Sequence, residues 1–377
     1  MLSSLLGIRL ILFIGKTLPT PIPPVPAPYE VMISLTRVEV TNNMESGDGF
    51  QMTFSLAKDK ILNYNLLSSG IVNPFSRVII GVVLGVVPEI LIDGVITHHQ
   101  INPSNDPGMS TLTVTGKDIS QMLDLEEKNE RYPNQPDFAI ATRIIGQYSQ
   151  YGLVPQTTPT TDVPLEMQRI PRQQETDLQF LKRLAERNGF VFYIQPQTVG
   201  VNKAYWGPEI RGGIPQPALT MNMGAANNLK SLDFSQDALA PVTTVGSIVE
   251  PITRISLPIP ILPSLRVPPL TATPTPARRK VLMRETAKQN PIQAGTSAVA
   301  QVTRSPDAVT GQGELDTVHY GHILRSRESV GVRGVGFDYN GNYIVSSVTH
   351  AIQKGEYTQR FTIKREGTGA LLPVVRP

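Results

Sequence analysis

The sequence contains no cysteine. That excludes a disulfide framework, a thiolate metal site and a cysteine nucleophile, and nothing in it marks an oxidising compartment. Aromatic residues make up 6% of the chain, with a single tryptophan, and the net charge is +3 over 377 residues. Because the aromatics are not interleaved with basic runs, the chain lacks the stripe expected of a nucleic-acid binder. The densest basic patch, Arg278, Arg279, Lys280, Arg284 and Lys288, reads as a solvated face. The apolar stretch from Leu5 to Ile14 is interrupted by Arg9 and followed by Lys16. It is short of the roughly 20 residues that cross a bilayer. The T-L-P-T-P-I-P-P-V-P-A-P that follows has no good small-residue cleavage site and reads as a polyproline linker rather than the end of a signal peptide.

Catalytic signatures are equally scarce. Neither G-x-S-x-G nor H-E-x-x-H occurs. His319 and His322, in H-Y-G-H, would point to opposite faces of a strand, which is wrong for a shared metal. Glu126, Glu127 and Glu130 read as a solvated acidic face. Glycoside hydrolysis needs two carboxylates about 5 to 9 Å apart, and no second motif supports such a pair. The expectation is a chain that is not an enzyme and uses no cofactor and no metal.

What is present is β structure. The 40% hydrophobic content suits packed cores. From Tyr343 to Gly367 the chain reads as a hairpin turning at Lys354-Gly355, with Tyr357, Phe361 and Ile363 on one face of the return strand and Thr358, Arg360, Thr362 and Lys364 on the other. A similar pair occurs earlier, at Gly94–Gln100 and Ser110–Gly116, with Leu112 and Val114 facing one way and Thr111, Thr113 and Thr115 the other. Val348-Thr349-His350 echoes Ile96-Thr97-His98, so the histidines read as recurring packing or lining positions. Either the chain holds two copies of one β-unit, or short alternating strands coincide by chance; at this level both explanations stand.

Between these pairs the period shifts to about 3.6. Asp118 can cap a short helix carrying Ile119, Met122, Leu123 and Leu125, and a second helix is expected from Asp137 towards Tyr151, with Phe138, Ala141, Ile144, Ile145 and Tyr148 on one side. The clearest start is Thr176, with Gln179 three residues on as in a capping box; Leu178, Leu181, Leu184 and Ala185 form the stripe. Gly189 stops that helix and Phe190–Ile194 follows as a strand. Seven prolines between Leu257 and Pro276 indicate an extended connector, a modest helix fits between Pro291 and Arg304, and Asn340-Gly341 is a strong turn signal.

The segment I-P-R-Q-Q-E-T-D-L-Q-F-L-K-R-L-A-E-R-N-G-F-V-F-Y-I, the closing Y-I-V-S-S-V-T-H-A-I-Q-K-G-E-Y-T-Q-R-F-T-I-K-R-E-G and V-T-G-K-D-I-S at Val114–Ser120 resemble phage late control protein D and the valine-glycine-repeat proteins of type VI secretion. These are hub proteins of contractile tail baseplates. The resemblance implies a mainly β (α+β) chain with two similar antiparallel tube-like barrels, a helix-containing insertion and a proline-rich connector. The implied division is an apolar segment and linker at 1–28, a first barrel at 29–117, a helix-containing domain at 118–230, a second barrel from 231–256 with 314–367, a connector at 257–313 and a tail at 368–377. It further implies a homotrimer forming a pseudo-six-fold ring, with a tail tube protein above, a separate spike protein below and other baseplate proteins around it. Such a particle is assembled in the cytoplasm, and membrane contact would be indirect or through the N-terminal segment. Thr111, Thr113, Thr115, Thr358, Arg360, Thr362 and Lys364 would face the channel or the next ring, with Leu112, Val114, Tyr357, Phe361 and Ile363 in the barrel cores. Thr176, Asp177, Leu178, Leu181, Leu184 and Gly189 carry the motif helix. A phage tail hub, a membrane-attached or secreted β-rich binding protein and a cell-wall hydrolase are the alternatives.

Overall fold

A computed structural model of the chain describes residues 7–57, 64–106, 108–164, 166, 170–245, 247–249, 256–258, 266–282, 291–303 and 305–371. Much of the proline-rich stretch, Arg284, Lys288 and the last residues of the tail lie outside the described residues. The molecule is mainly β, and among the described residues thirteen strands join in one sheet.

The first unit starts with β1 (Ile8–Lys16) and β2 (Ile22–Pro26). After the short helix α1 (Tyr29–Ser34) come β3 (Leu35–Asn43) and β4 (Gly49–Ser55), a hairpin. Past α2 (Asn65–Ser68), β5 (Ser76–Leu84) and β6 (Val87–Asn102) form a second hairpin, and β7 (Thr111–Asp118) then inserts between β4 and β6. The spatial order is β3-β4-β7-β6-β5. The apolar N-terminal segment, expected to stand apart, is instead a strand: β1 pairs with β5 along its length, and Ile8, Leu10, Leu12 and Ile14 are buried in the first core. Its burial alternates along the strand, with every second side chain turned into the core. The proline-rich β2 closes that edge, where missing donors cost least. Pro88 lies inside β6 opposite Val83, and the turn of this hairpin falls at Gly85-Val86.

The helical unit holds β8 (Glu127–Arg131), α3 (Asp137–Gly146), β9 (Leu153–Thr157), β10 (Arg172–Thr176), α4 (Asp177–Asn188), β11 (Phe190–Thr198) and β12 (Val201–Pro208) around its own core. The expected helix after Asp118 is a 3-10 turn over Ile119–Leu123, and Leu125 is exposed rather than part of its stripe. The strand pair β8–β10, which places Glu127 and Glu130 on a two-stranded ribbon, has no clear apolar alternation to announce it.

The second unit comprises β13 (Gln216–Thr220) and β14 (Leu229–Gln236). Five short strands follow outside the main sheet: β15 (Val242–Val245), β16 (Ser247–Val249), β17 (Ser256–Pro258), β18 (Thr271–Pro274) and β19 (Arg279–Leu282). Val242–Val245 and Ser247–Val249, expected in the second barrel, therefore pair elsewhere. After α5 (Pro291–Thr303) the sheet resumes earlier than expected, with β20 (Val309–Asp316). Then come α6 (Thr317–Tyr320), β21 (Ser329–Arg333), β22 (Gly341–Gln353), β23 (Glu356–Arg365) and the short β24 (Gly367–Ala370).

The two units share a topology. In the second, β14 pairs with β20, β21 with β22, and β23 inserts between β20 and β22, so β14-β20-β23-β22-β21 repeats β3-β4-β7-β6-β5. Even the irregularities repeat. A bulge falls between Leu35 and Arg37 and again between Leu229 and Ser231; another falls between Ile96 and His98 and again between Val345 and Ser347. An extra residue bends and twists the strand locally, so matched bulges give both units the same curvature. With the bulges superimposed, L-T-R-V-E-V-T-N-N of β3 stands over L-K-S-L-D-F-S-Q-D at Leu229–Asp237. The histidine echo is corrected by the same register: Thr97 and Ser346 are the inserted residues, so His98 corresponds to Ser347 and His350 to Ile101. The units meet where β22 pairs antiparallel with β3, from Ser347 opposite Asn43 to Gln353 opposite Arg37.

Candidate functional site

Residues directly opposite in a sheet share a face, so the pairings trace one polar surface across both units. On β7, Thr111, Thr113 and Thr115 oppose Ser55, Thr53 and Gln51 of β4. Thr53 and Gln51 oppose Arg37 and Glu39 of β3, which oppose Gln353 and Ala351 of β22. On β23, Thr358, Arg360 and Thr362 oppose Ala351, Thr349 and Ser347. The seven residues singled out in the sequence therefore lie on one face of one sheet, and the matched register sets Thr111, Thr113 and Thr115 over Thr358, Arg360 and Thr362. The face carries charge of both signs. Glu39 is 2.5 Å from Arg37 and 3.5 Å from Arg360, and Lys364 is 2.6 Å from Glu45.

The opposite face is apolar. Leu112, Val114 and Ile363 are fully buried and Tyr357 and Phe361 nearly so. Volume is exchanged between the two units. Met52 faces Val114 in the first, whereas Gly313 faces Phe361 at the matched position of the second, where a Cβ on Gly313 would lie 2.6 Å from the Phe361 ring. Polar groups reach into the second core in satisfied pairs. Tyr357 Oη lies 3.0 Å from His350 Nδ1, and Gln359 Nε2 donates to Thr317 Oγ1 and the His322 carbonyl, both at 3.0 Å. Burial, and secondarily the charge of Arg325, push the His350 imidazole down to about 3, so it is neutral in the fold. H-Y-G-H is not a strand as expected. His319 sits in α6 and contacts the Asn227 carbonyl at 2.8 Å, and the turn at Gly321 carries His322 away.

Three arginines tie the units together, and the sequence reading singled out none of them. Arg327 donates to both oxygens of Asp48 at 2.7 and 3.1 Å and to the Asn43 carbonyl, and it lies over the Tyr193 ring. Arg325 reaches the Ile90 carbonyl and Glu89. Arg77 forks onto Asp93 at 2.8 and 2.6 Å and donates to the Tyr151 carbonyl, locking the first unit to the helical one. A lone arginine in sequence carries no signal of its partner, and the contacts that cross between units, from 74 to 284 residues apart, are distant along the chain.

The motif helix α4 forms as its capping signal requires. Thr176 Oγ1 accepts from Gln179 N at 3.3 Å, and Gly189 closes the helix at φ 68°. Leu178, Leu181 and Leu184 are buried. Asp177, fully buried in the first turn, accepts from Lys128 Nζ at 2.5 Å and from Tyr148 Oη and Gln173 Nε2, each at 2.7 Å. Between α4 and the second unit lies a cleft of about 640 Å³. Two of its carboxylates, Glu209 and Asp307, are held by Arg211 at 2.8 and 3.0 Å. Among the described residues no three His, Asp or Glu side chains gather as metal ligands.

Solved structures share this fold at low identity. The tail protein from Neisseria meningitidis MC58 superposes with a TM-score of 0.62 at 13% identity, covering 96% of this chain and 98% of that one. The 43 kDa tail protein of prophage MuSo2 from Shewanella oneidensis gives 0.60 at 13% identity, over 94% and 98%. The E. coli c3393 protein, a component of the type VI secretion system with structural similarity to the T4 tail proteins gp27 and gp5, gives 0.55 at 13% identity, over 91% and 78%. No curated protein matches the chain in sequence. The fold is therefore the one found in phage tail and type VI secretion proteins. The family model for the Alg8 N-terminal domain matches residues 36–248, more than half of the chain and running from β3 through the helical unit to β16, and the chain belongs to that family.

Proposed function

We propose that this chain is a structural hub of a contractile, phage-tail-like injection system, in which three copies form a ring of pseudo-six-fold symmetry joining a hexameric tail tube to a trimeric spike. The observation that carries the reading is the duplication. One chain presents the same five-strand unit twice, in register and joined strand to strand, with a polar face running across both. Three such chains offer six equivalent units to a six-fold tube while keeping three-fold symmetry towards a spike. Threonine, glutamine and ion-paired side chains on the shared face suit a wetted lumen or a ring-to-ring contact, since they satisfy one another without a single-sign field. The fold shared with tail and type VI secretion proteins supports baseplate proteins as partners; in this reading they are a tube protein and a separate spike protein, and the particle is assembled in the cytoplasm. The alternative of a membrane-attached or secreted β-rich binding protein rested on the apolar N-terminus, of which Ile8, Leu10, Leu12 and Ile14 are packed into the first core.

The test is position in native particles, by pelleting a lysate and imaging antibody-labelled material. Label at one end of sheathed tubes is the expected result. Label on membranes that carry no tubes would overturn the proposal.

A further inference from the structure

Among the described residues two strand edges are open, and each is the counterpart of an edge that the chain closes internally. Among the described residues β14 pairs only with β20, and the β6 segment Thr97–Asn102 pairs only with β7. By the shared register β14 corresponds to β3, and Thr97–Asn102 to Ser346–Ala351 of β22. Those two counterparts, β3 and β22, are the strands that pair with each other in the joint between units.

Burial shows the missing neighbour. Val38 and Val40 on β3 are fully buried beneath the joint, whereas their counterparts on β14, Leu232 and Phe234, are half-buried. His350 is 1% exposed, and its counterpart Ile101 is 42% exposed. His98, Gln100 and Asn102 are exposed, while Ser347, Thr349 and Ala351, which have β3 beside them, are partly covered.

The geometry points to a second copy of this chain as the occupant of both edges: β14 of one protomer pairs antiparallel with the end of β6 of the next, in the register that β3 and β22 use within the chain. This deepens the ring reading and rests on it. Carrying Thr41 opposite Thr349 across the duplication sets Ser235 opposite Gln100 of the neighbour. Phe234 then faces Ile101, Asp233 faces Asn102 and Asp237 faces His98. The apolar pair falls on the core face, where Ile101 is exposed and Phe234 half-buried, and the carboxylates of Asp233 and Asp237 meet an amide and an imidazole rather than another acid. Pro103 has no N–H to donate, so the pairing stops after Asn102. Because the two edges differ and lie on different units, the contact is head-to-tail, and it removes both edges only when the ring closes.

Cysteine cross-linking tests the register, since the chain has no cysteine of its own. Directly opposed residues in an antiparallel pair lie about 4.5 to 5.5 Å apart at Cα, within disulfide range. The double variant Gln100→Cys with Ser235→Cys is oxidised in the full chain and run on a denaturing, non-reducing gel. Thr41→Cys with Thr349→Cys, the matching positions of the internal joint, serves as reference and should oxidise without any gain in mass. Ile101→Cys with Ser235→Cys places the thiols on opposite faces and should stay unlinked. The expected result is a covalent ladder ending in a closed species for Gln100/Ser235 only. Native mass of the unmodified chain separates the possible failures. An oligomer in which Gln100/Ser235 does not cross-link overturns this pairing and leaves the ring standing; a chain that remains monomeric and unlinked overturns both.

Discussion

At the scale of single residues, one sheet separates two kinds of side chain on β23. Phe361 fills space that Gly313 leaves open opposite it, so on that side no side chain stands to fill the hole after truncation. Phe361→Ala should destabilise the fold by about 3 to 5 kcal/mol in chemical denaturation. Arg360 stands on the other face, with a half-exposed side chain and a 3.5 Å contact to Glu39 that is worth little in water. Arg360→Ala should leave the melting temperature within about 2 °C and weaken docking to assembled tubes in co-sedimentation. His350 links the core to pH. Its folded value of about 3 lies below the ordinary 6.5, because burial and Arg325 disfavour the imidazolium. The stability this neutral histidine contributes is present above pH 6.5 and is lost as pH falls from there towards 3, with a slope approaching about 1.4 kcal/mol per pH unit. His350→Gln should flatten the fall in melting temperature between pH 7 and 4. An unchanged profile would assign the acid sensitivity to other groups.

At the scale of elements, legibility followed how local the cause is. The start and stop of α4 are written in Thr176, Gln179 and Gly189, and both form as the spacing predicts, because a cap needs only its own turn. Thr176→Ala removes that cap and the 2.5 Å hydrogen bond to Asp124, and should cost about 1 kcal/mol or somewhat more by thermal melting. The alternation on β7 and β23 was readable for the same reason. Strand β1 was legible as an apolar run but not as part of the sheet, since its partner β5 lies some seventy residues on, beyond a proline-rich strand that suggested a linker. The repeat was glimpsed through the wrong residues. V-T-H matches I-T-H in letters, yet a bulge in each strand shifts the true correspondence, and bulges leave no dependable mark in a sequence.

At the scale of the whole molecule, the joint between the units combines the β22–β3 ladder with buried charge. Arg327 and Asp48 are both mostly buried, and removing either leaves the other without its counter-charge away from water. Arg327→Ala should cost about 3 to 5 kcal/mol and expose the segment around Gly47 to limited proteolysis before the rest of the chain. Period-two and period-3.6 patterns, helix caps and the turn glycines are properties of neighbouring residues, so the sequence by itself determined the fold class and much of the polar and apolar faces of the strands. The pairing of β3 with β22, the partners of Arg77, Arg325 and Arg327, and the single polar surface that unites Thr111–Thr115 with Thr358–Lys364 join residues far apart along the chain. Only the tertiary structure decided these, because register and ion pairing depend on distances that the order of residues does not encode.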